Sequence, residues 1–139
     1  FRSALAEAGE ALAAHALGQF TVEGAKKAAR QMFGESDHPD AVFVATDHMA
    51  FAVMDVLRGE LNLHIPNDVS VVGYDDVPPA SWAAYDLSTV RQRADVMVKE
   101  TVTLMIEKIR NPASAPRHIK IDSPLIVRSS AKIPEGWTS

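Results

Sequence analysis

Hydrophobic residues along this chain recur at helical spacing in some stretches and in short continuous runs in others, and the two patterns alternate. Apolar positions three and four residues apart predict helices at residues 1–9, 22–33, 47–61 and 95–110. Short apolar runs predict strands at residues 40–45, 69–74 and 87–92, with further short ones at about 13–18, 117–121 and 125–128. Strands that alternate with helices are typical of an α/β fold with a parallel open sheet and right-handed crossovers.

Capping residues mark the starts of two of these helices. Thr21 is placed to cap the second helix, and either Thr46 or Asp47 is placed to cap the third. The run at 40–45 is apolar throughout, which predicts a strand that helices cover on both faces.

The composition is that of one domain or part of one. The chain has 139 residues, and a hydrophobic fraction of 47% is enough for a buried core. No run approaches the roughly 18 or more apolar residues of a membrane span. Residue 1 is Phe and no signal-peptide pattern follows it, so we expect the chain to begin inside a longer protein. The lack of Cys excludes disulfides and zinc–thiolate sites and is compatible with a reducing cytoplasm.

The net charge of −4 is unevenly distributed. Residues 35–90 carry ten Asp or Glu and a single Lys or Arg, Arg58, whereas residues 91–139 carry nine Lys or Arg and five acids. Neither part contains a dense basic cluster with interleaved aromatics, so we do not expect this segment to bind nucleic acid.

The sequence lacks the usual patterns of catalytic and metal sites. It has no Gly-x-Ser-x-Gly elbow, no phosphate-binding glycine-rich loop and no dinucleotide fingerprint, so we expect neither an enzyme nor a cofactor. Asp75 and Asp76 are adjacent in an extended segment and point to opposite sides, unlike the facing carboxylates of glycosidases. Together with Asp47 and His48 they do not form a pattern that would hold a metal ion, so no metal is expected.

Asp75 stands where the apolar run at 69–74 ends, in the sequence Gly73-Tyr74-Asp75-Asp76. In an open α/β sheet, ligands bind outside the carboxyl ends of the strands, so a carboxylate in this place is a candidate acceptor for the hydroxyls of a polyol. The alternative is that Asp75 only caps the following turn, as Asp often does. For Asp76 we predict the capping role.

Four segments together resemble the C-terminal half of the effector-binding core of LacI-type bacterial transcriptional regulators. They are residues 39–50 (PDAVFVATDHMA), 65–76 (IPNDVSVVGYDD), 87–92 (LSTVRQ) and 125–130 (LIVRSS). Their order and spacing match this family over essentially the whole chain. The resemblance implies a periplasmic-binding-protein-like fold of two α/β subdomains with a small effector in the cleft between them. This chain would be mostly the C-terminal subdomain.

The resemblance also divides the chain into three parts. Residues 1–92 correspond to most of the C-terminal effector-binding subdomain plus a crossover strand, and residues 113–139 to return strands and a tail. Residues 93–112 correspond to a helix that in relatives packs on the other subdomain, which we expect to be missing here. The inward face of this helix is predicted to consist of Val98, Val102, Met105, Ile106 and Ile109.

Three residues are candidates for ligand binding. In the family the first acid of the Gly-aromatic-Asp-Asp motif contacts the ligand, which implies that role for Asp75. An aromatic at the place of Phe20 often stacks on the effector; the alternative is a hydrophobic staple on the first turn of its own helix. Thr46 stands where relatives often have Asn, whose reach and amide donor Thr lacks, so Thr46 either contacts the ligand or is a helix cap.

A homodimer is also implied, because relatives dimerise through the helix after Thr46 and the segment after the Asp75-Asp76 motif. The aromatic and apolar anchors usual for an interface would be supplied here, next to Pro78 and Pro79, by Phe51, Met54, Trp82 and Tyr85. Most of the apolar stripe on that helix belongs to the core.

The resemblance implies the effector-sensing and dimerisation part of a cytoplasmic, DNA-binding transcriptional regulator, with a sugar or related small polar metabolite as effector. DNA would be bound only by a helix-turn-helix outside this chain, and no membrane partner is expected. One alternative with the same fold is an exported sugar-binding protein that serves a transporter. Another is a domain that has lost its ligand, which the departure at Thr46 keeps open.

Overall fold

The computed structural model describes residues 1–133. Its α-helices are Arg2–Glu7 (α1), Val22–Phe33 (α2), Asp47–Gly59 (α3) and Ala94–Arg110 (α4), with a short 3₁₀ helix at Pro78–Ser81. Its strands are Ala41–Phe43 (β1), Ser70–Asp75 (β2), Ser88–Arg91 (β3) and Leu125–Ile126 (β4). None of these helices is long and apolar enough to pass through a bilayer. The end of the predicted tail, from residue 134 onward, lies outside the described residues.

The strands form one open sheet in the order β1-β2-β3-β4. The first three run parallel, with Phe43 opposite Val72 and Asp75 opposite Arg91. β4 pairs antiparallel with β3, which makes the sheet mixed rather than wholly parallel. The parallel β1–α3–β2 unit confirms the α/β fold class that the alternating pattern predicts.

The core lies between the sheet and the helices α2 and α3. α3 is buried along most of its length because its apolar residues recur every three or four positions. The fully buried core side chains of α3 and β2 include Met54, Val56, Leu57 and Val71. The sheet and these two helices therefore form a stable platform for the loops at the strand ends.

Threonine caps start both core helices, as the sequence predicts. Thr21 Oγ1 accepts a hydrogen bond from the backbone N–H of Gly24 at 3.0 Å. Thr46 Oγ1 accepts one from the backbone N–H of Met49 at 3.3 Å. The cap of α3 is thus Thr46 and not Asp47, whose side chain has other partners.

The strand predicted at 13–18 is absent, and β1 is not covered on both faces. Residues 10–18 have no regular structure, and a cleft of about 530 Å³ lies between residues 10–16 and β1, so no ladder forms on that edge. Helices α2 and α3 cover one face of the sheet, whereas on the other face Phe43 is 38% exposed. Its ring stacks on Phe1, with centroids 5.2 Å apart. An apolar run alone therefore overstates how far β1 is buried.

The strand predicted at 117–121 is also absent, and only Leu125–Ile126 of the run at 125–128 forms a ladder. The alternating pattern around Ile119 is that of a half-buried strand, but in the described structure Ile119 is exposed and Ile121 is only partly buried. Residues 117–121 pair with no strand of the described sheet, which ends at β4 on this side.

α4 forms as predicted, but its apolar face is uncovered in the described structure. None of its residues is buried. Val98 is 63% exposed and Ile109 is 75% exposed, although both lie on the face predicted to point inward. The helix therefore presents a row of large apolar side chains for which residues 1–133 supply no partner.

Candidate functional site

The loops that follow β1, β2 and β3 meet along one side of the sheet. Because these strands are parallel, their carboxyl ends lie next to each other, where open α/β sheets bind ligands. The side chains at these strand ends that carry polar chemistry and reach the surface are Thr46, Asp75, Asp76 and Gln92, and we call them the carboxyl edge. The sequence-predicted candidates Asp75 and Thr46 both belong to it.

Asp75 is presented at the carboxyl edge by an unusual backbone, with φ at 124°. Residues other than Gly seldom adopt such angles, which cost about 1–3 kcal/mol and persist only where surrounding contacts impose them. Gln92 Nε2 donates to Asp75 Oδ1 at 2.6 Å, which fixes the carboxylate plane. Within residues 1–133, Oδ2 receives no hydrogen bond, and the side chain is half-buried. The geometry leaves one oriented oxygen for a donor from outside the chain.

Asp76 is held by two arginines and does not cap the turn. Its Oδ1 accepts from Arg128 Nη2 at 2.8 Å and its Oδ2 from Arg91 Nε at 2.5 Å. Burial alone would raise the pKa of the Asp76 carboxyl, but the hydrogen bonds from Arg128 and Arg91 outweigh burial and lower that pKa. The capping role predicted for Asp76 is wrong because two guanidinium groups, distant in sequence, provide stronger donors than a turn N–H.

Asp47 is completely buried beneath the carboxyl edge. Its Oδ1 accepts from Thr89 Oγ1 at 2.6 Å, and its Oδ2 accepts from the Val77 backbone N–H at 2.9 Å. Burial raises the pKa of the Asp47 carboxyl, and these two hydrogen bonds partly oppose the rise. The sequence pattern predicts no such role for Asp47. The sequence signal for the buried carboxylate is the glycine at position 73, because a Cβ there would overlap Asp47 Oδ1.

Thr46 and Phe20 lie near the start of α3. The Thr46 hydroxyl oxygen is used as the cap, which leaves its hydrogen free to donate. Phe20 has a φ of 53°, and its side chain is 78% exposed, so it does not form the hydrophobic staple. A Cβ at Gly18 would come within 2.8 Å of Met49 Sδ, which places the Phe20 turn against the first turn of α3. Ligand contacts of Thr46 and Phe20 stay predictions.

The cleft of about 530 Å³ lies beside β1, and none of the side chains of the carboxyl edge lines it. Its lining is mostly apolar, with side chains such as Leu12, Met32 and Val42. Among residues 1–133, no group of three or more His, Cys, Asp or Glu is arranged to hold a metal ion. The polar side chains of the carboxyl edge thus lie apart from the apolar cleft.

The predicted dimer residues divide between the surface and the core. Phe51 and Tyr85 pack together with ring centroids 4.2 Å apart, and Trp82 is 59% exposed. Met54 is fully buried, so its predicted place in the interface is wrong. It lies three residues before the fully buried Leu57, a spacing that puts both side chains on the core face of α3.

Residues 1–131 match the family model described as periplasmic binding protein-like domain. The chain is 34% identical over 134 residues to the HTH-type transcriptional regulator CelR of Thermobifida fusca, a match that covers 94% of this chain and 38% of that protein. It is 32% identical to the ribose operon repressor of Escherichia coli, covering 82% of this chain and 34% of that protein. The chain thus spans well under half the length of these curated relatives.

Solved structures give the same result. A complex of the transcriptional regulator CelR with cellobiose has a TM-score of 0.81 at 31% identity, covering 94% of this chain and 40% of that one. A LacI-type transcription regulator from Bifidobacterium animalis subsp. lactis has a TM-score of 0.81 at 29% identity, covering 95% and 48%. These proteins are transcriptional regulators, which favours the regulator over the exported alternative and confirms the resemblance carried by the four segments. The chain belongs to the periplasmic binding protein-like domain family and, within it, matches the LacI-type transcriptional regulators.

Proposed function

We propose that this chain is the effector-sensing and dimerisation part of a LacI-type transcriptional regulator, with a sugar or similar polyol bound at the carboxyl edge. The observation that carries the proposal is the Asp75 carboxylate, which Gln92 orients and whose other oxygen receives no hydrogen bond from residues 1–133. The relatives support it, since they are regulators and the CelR structure contains cellobiose. In the longer protein, a helix-turn-helix outside this chain contacts DNA in the cytoplasm.

The carboxyl edge offers the groups that a sugar requires. Asp75 Oδ2 accepts a hydroxyl hydrogen, in a charge-assisted bond that contributes about 1.5–3 kcal/mol. Thr46 donates its hydroxyl hydrogen, and the Phe20 ring provides a flat apolar surface for the C–H face of a sugar, as aromatic side chains do elsewhere. Thr46 is shorter than the Asn of relatives, so the ligand group that it contacts lies closer to α3. No cofactor, metal ion or catalytic step is part of the proposal.

Ligand binding regulates by a shift between two arrangements of the subdomains. The effector binds one arrangement more tightly, and the dimer transmits that preference to the DNA-binding parts. The shift is limited by the difference in affinity, since reversing a 1:99 equilibrium takes roughly 5.5 kcal/mol.

The uncovered face of α4 is proposed to pack on the other subdomain of the longer protein. Residues 93–112 then connect the two subdomains, residues 1–92 form most of the ligand-binding subdomain, and residues 113–133 return the chain to the sheet through β4. The exposed apolar side chains of α4, among them Met105 at 59%, support this assignment.

The proposed sugar site is tested by thermal unfolding of the full-length protein with cellobiose or with ribose. A sugar at a hundred times its Kd stabilises the folded state by about 2.7 kcal/mol and raises the Tm. Phe20→Ala should reduce that rise without changing the Tm of the unliganded protein, because its ring is largely exposed. The matched control is Leu17→Ala, a neighbouring residue that is 76% exposed, which should change neither quantity. A lower unliganded Tm with an unchanged sugar effect would make Phe20 a structural residue.

The homodimer is proposed to form through Phe51, Trp82 and Tyr85. Phe51→Glu places a charge in an aromatic interface and should shift the protein towards monomer in light scattering. Val22→Glu is the control, because Val22 is half exposed at the start of α2, away from this patch. If both variants keep the mass of the wild type, the interface lies elsewhere.

A further inference from the structure

Beneath the carboxyl edge, Asp47 joins three segments that are far apart in sequence. It is the first residue of α3, directly after the loop from β1. Its Oδ1 accepts from Thr89 on β3, and its Oδ2 accepts from the backbone N–H of Val77, two residues beyond Asp75. A further interaction comes from the backbone of Asp76. One carboxylate therefore connects the segments that follow β1 and β2 with strand β3.

Burial makes these hydrogen bonds effective. Asp47 and Thr89 are both 0% exposed, so water does not compete for the carboxylate. A buried carboxylate is strongly destabilising unless donors surround it, and each donor removed leaves an oxygen unsatisfied. The space that the carboxylate fills exists because Gly73 has no Cβ, which would overlap Oδ1 and lie 2.9 Å from Leu87 Cδ2. The glycine at position 73 thus leaves the space that the Asp47 side chain occupies.

The turn that Asp47 contacts has an unfavourable backbone. Asp75 has a φ of 124° and Asp76 a φ of 57°, both in the region that favours glycine. Such a conformation persists only when surrounding contacts impose it. Gln92 holds the turn through the Asp75 side chain, at its exposed side. Asp47 holds it from below, through the Val77 backbone.

We propose that Asp47 is a positioning residue which, together with Thr89, keeps the turn at 75–77 in the conformation that presents Asp75 to the ligand. Asp47 is fully buried and does not itself contact the ligand. The predicted effect of Asp47 on ligand affinity rests on the proposed function. Its predicted effect on the turn at 75–77 is present in the unliganded protein and is measured without any ligand.

The test uses the full-length protein and two readouts: hydrogen exchange of the unliganded protein at the Val77 amide, and the affinity for cellobiose by calorimetry. Asp47→Asn and the milder Thr89→Val should each speed exchange at Val77 by at least about tenfold, equal to roughly 1.4 kcal/mol. Thr89→Ser keeps the hydroxyl donor and should restore slow exchange. Thr89→Val should also weaken cellobiose binding by about threefold or more, and Thr89→Ser should not.

The control separates positioning from general stability. Val56→Ala removes core volume near the other end of α3, where Val56 is fully buried. The exchange rates and affinities of Val56→Ala and Thr89→Val are compared relative to the loss of Tm that each variant causes. Val56→Ala should leave both the Val77 exchange rate and the cellobiose affinity close to wild type. If Val56→Ala and Thr89→Val speed Val77 exchange equally, Asp47 serves stability alone and the proposal is overturned.

The two readouts also distinguish this proposal from the proposed function. An opened turn with unchanged cellobiose affinity would overturn the positioning role. If the wild type binds no cellobiose while the Val77 amide responds as expected, the proposed ligand fails and the hold of Asp47 on the turn is supported.

Discussion

Amide hydrogens of α4 are expected to exchange on the order of a thousandfold faster in the isolated 139-residue chain than in the full-length protein, a difference of about 4 kcal/mol. Alone, the helix buries none of its 17 residues, and a helix of this length without packing is marginal in water. In the longer protein, the proposed contact with the other subdomain covers Val98, Val102 and Ile109. Opening α4 then requires that contact to break.

Hydrogen–deuterium exchange followed by mass spectrometry measures this difference, and α3 serves as the internal control. Because Met54 and Leu57 are fully buried within the chain itself, α3 should be equally protected in both proteins. Measuring the isolated chain over a range of concentrations separates protection within one molecule from protection by self-association. Equal, concentration-independent protection of α4 in both proteins would contradict the proposed contact.

Gly73→Ala is expected to lower the free energy of unfolding by about 3 kcal/mol or more. The new Cβ would overlap Asp47 Oδ1 and press on Leu87, so the buried carboxylate must move away from its donors. A displaced and unsatisfied buried charge is more damaging than overpacking alone, which typically costs about 1–3 kcal/mol. Urea unfolding of the full-length protein measures the loss.

Gly59→Ala provides the matched control for the same chemical change. Gly59 is the last residue of α3, and a Cβ built on it has nothing within 4 Å. Alanine there should be neutral or stabilising by up to about 1 kcal/mol, because it restricts the unfolded chain. Equal effects of the two substitutions would mean that the Asp47 carboxylate does not occupy the space beside Gly73.

Local sequence signals were sufficient for the elements whose determinants are local. The caps at Thr21 and Thr46 and the apolar stripe of α3 depend on residues within one or two turns, and the structure confirms them. The strands predicted at 13–18 and 117–121 failed because a strand also needs a partner edge, which an apolar pattern does not specify. The predicted coverage of β1 failed for the same reason, since it depends on which other elements pack there.

The site residues show the same difference between local and distant determinants. Asp75 is predicted to contact the ligand from its position at the end of an apolar run and from the family motif, and that role stays a prediction. The hydrogen bond between Thr89 and Asp47 spans 42 residues, and that between Arg128 and Asp76 spans 52. Side-chain pairs at such separations leave no periodic trace in one sequence. Only Gly73, an interruption in a strand, could have indicated that another group approaches the backbone closely.

The ligand site is tested most directly by calorimetry on the full-length protein, with whichever of cellobiose or ribose raises the Tm more. We expect Asp75→Ala to weaken binding at least tenfold, or about 1.4 kcal/mol, while unfolding stays cooperative. Asp55→Ala removes an exposed carboxylate from α3 and should bind the sugar as the wild type does. Unchanged affinity of Asp75→Ala for a sugar that the wild type binds would contradict the assignment of the carboxyl edge as the ligand site.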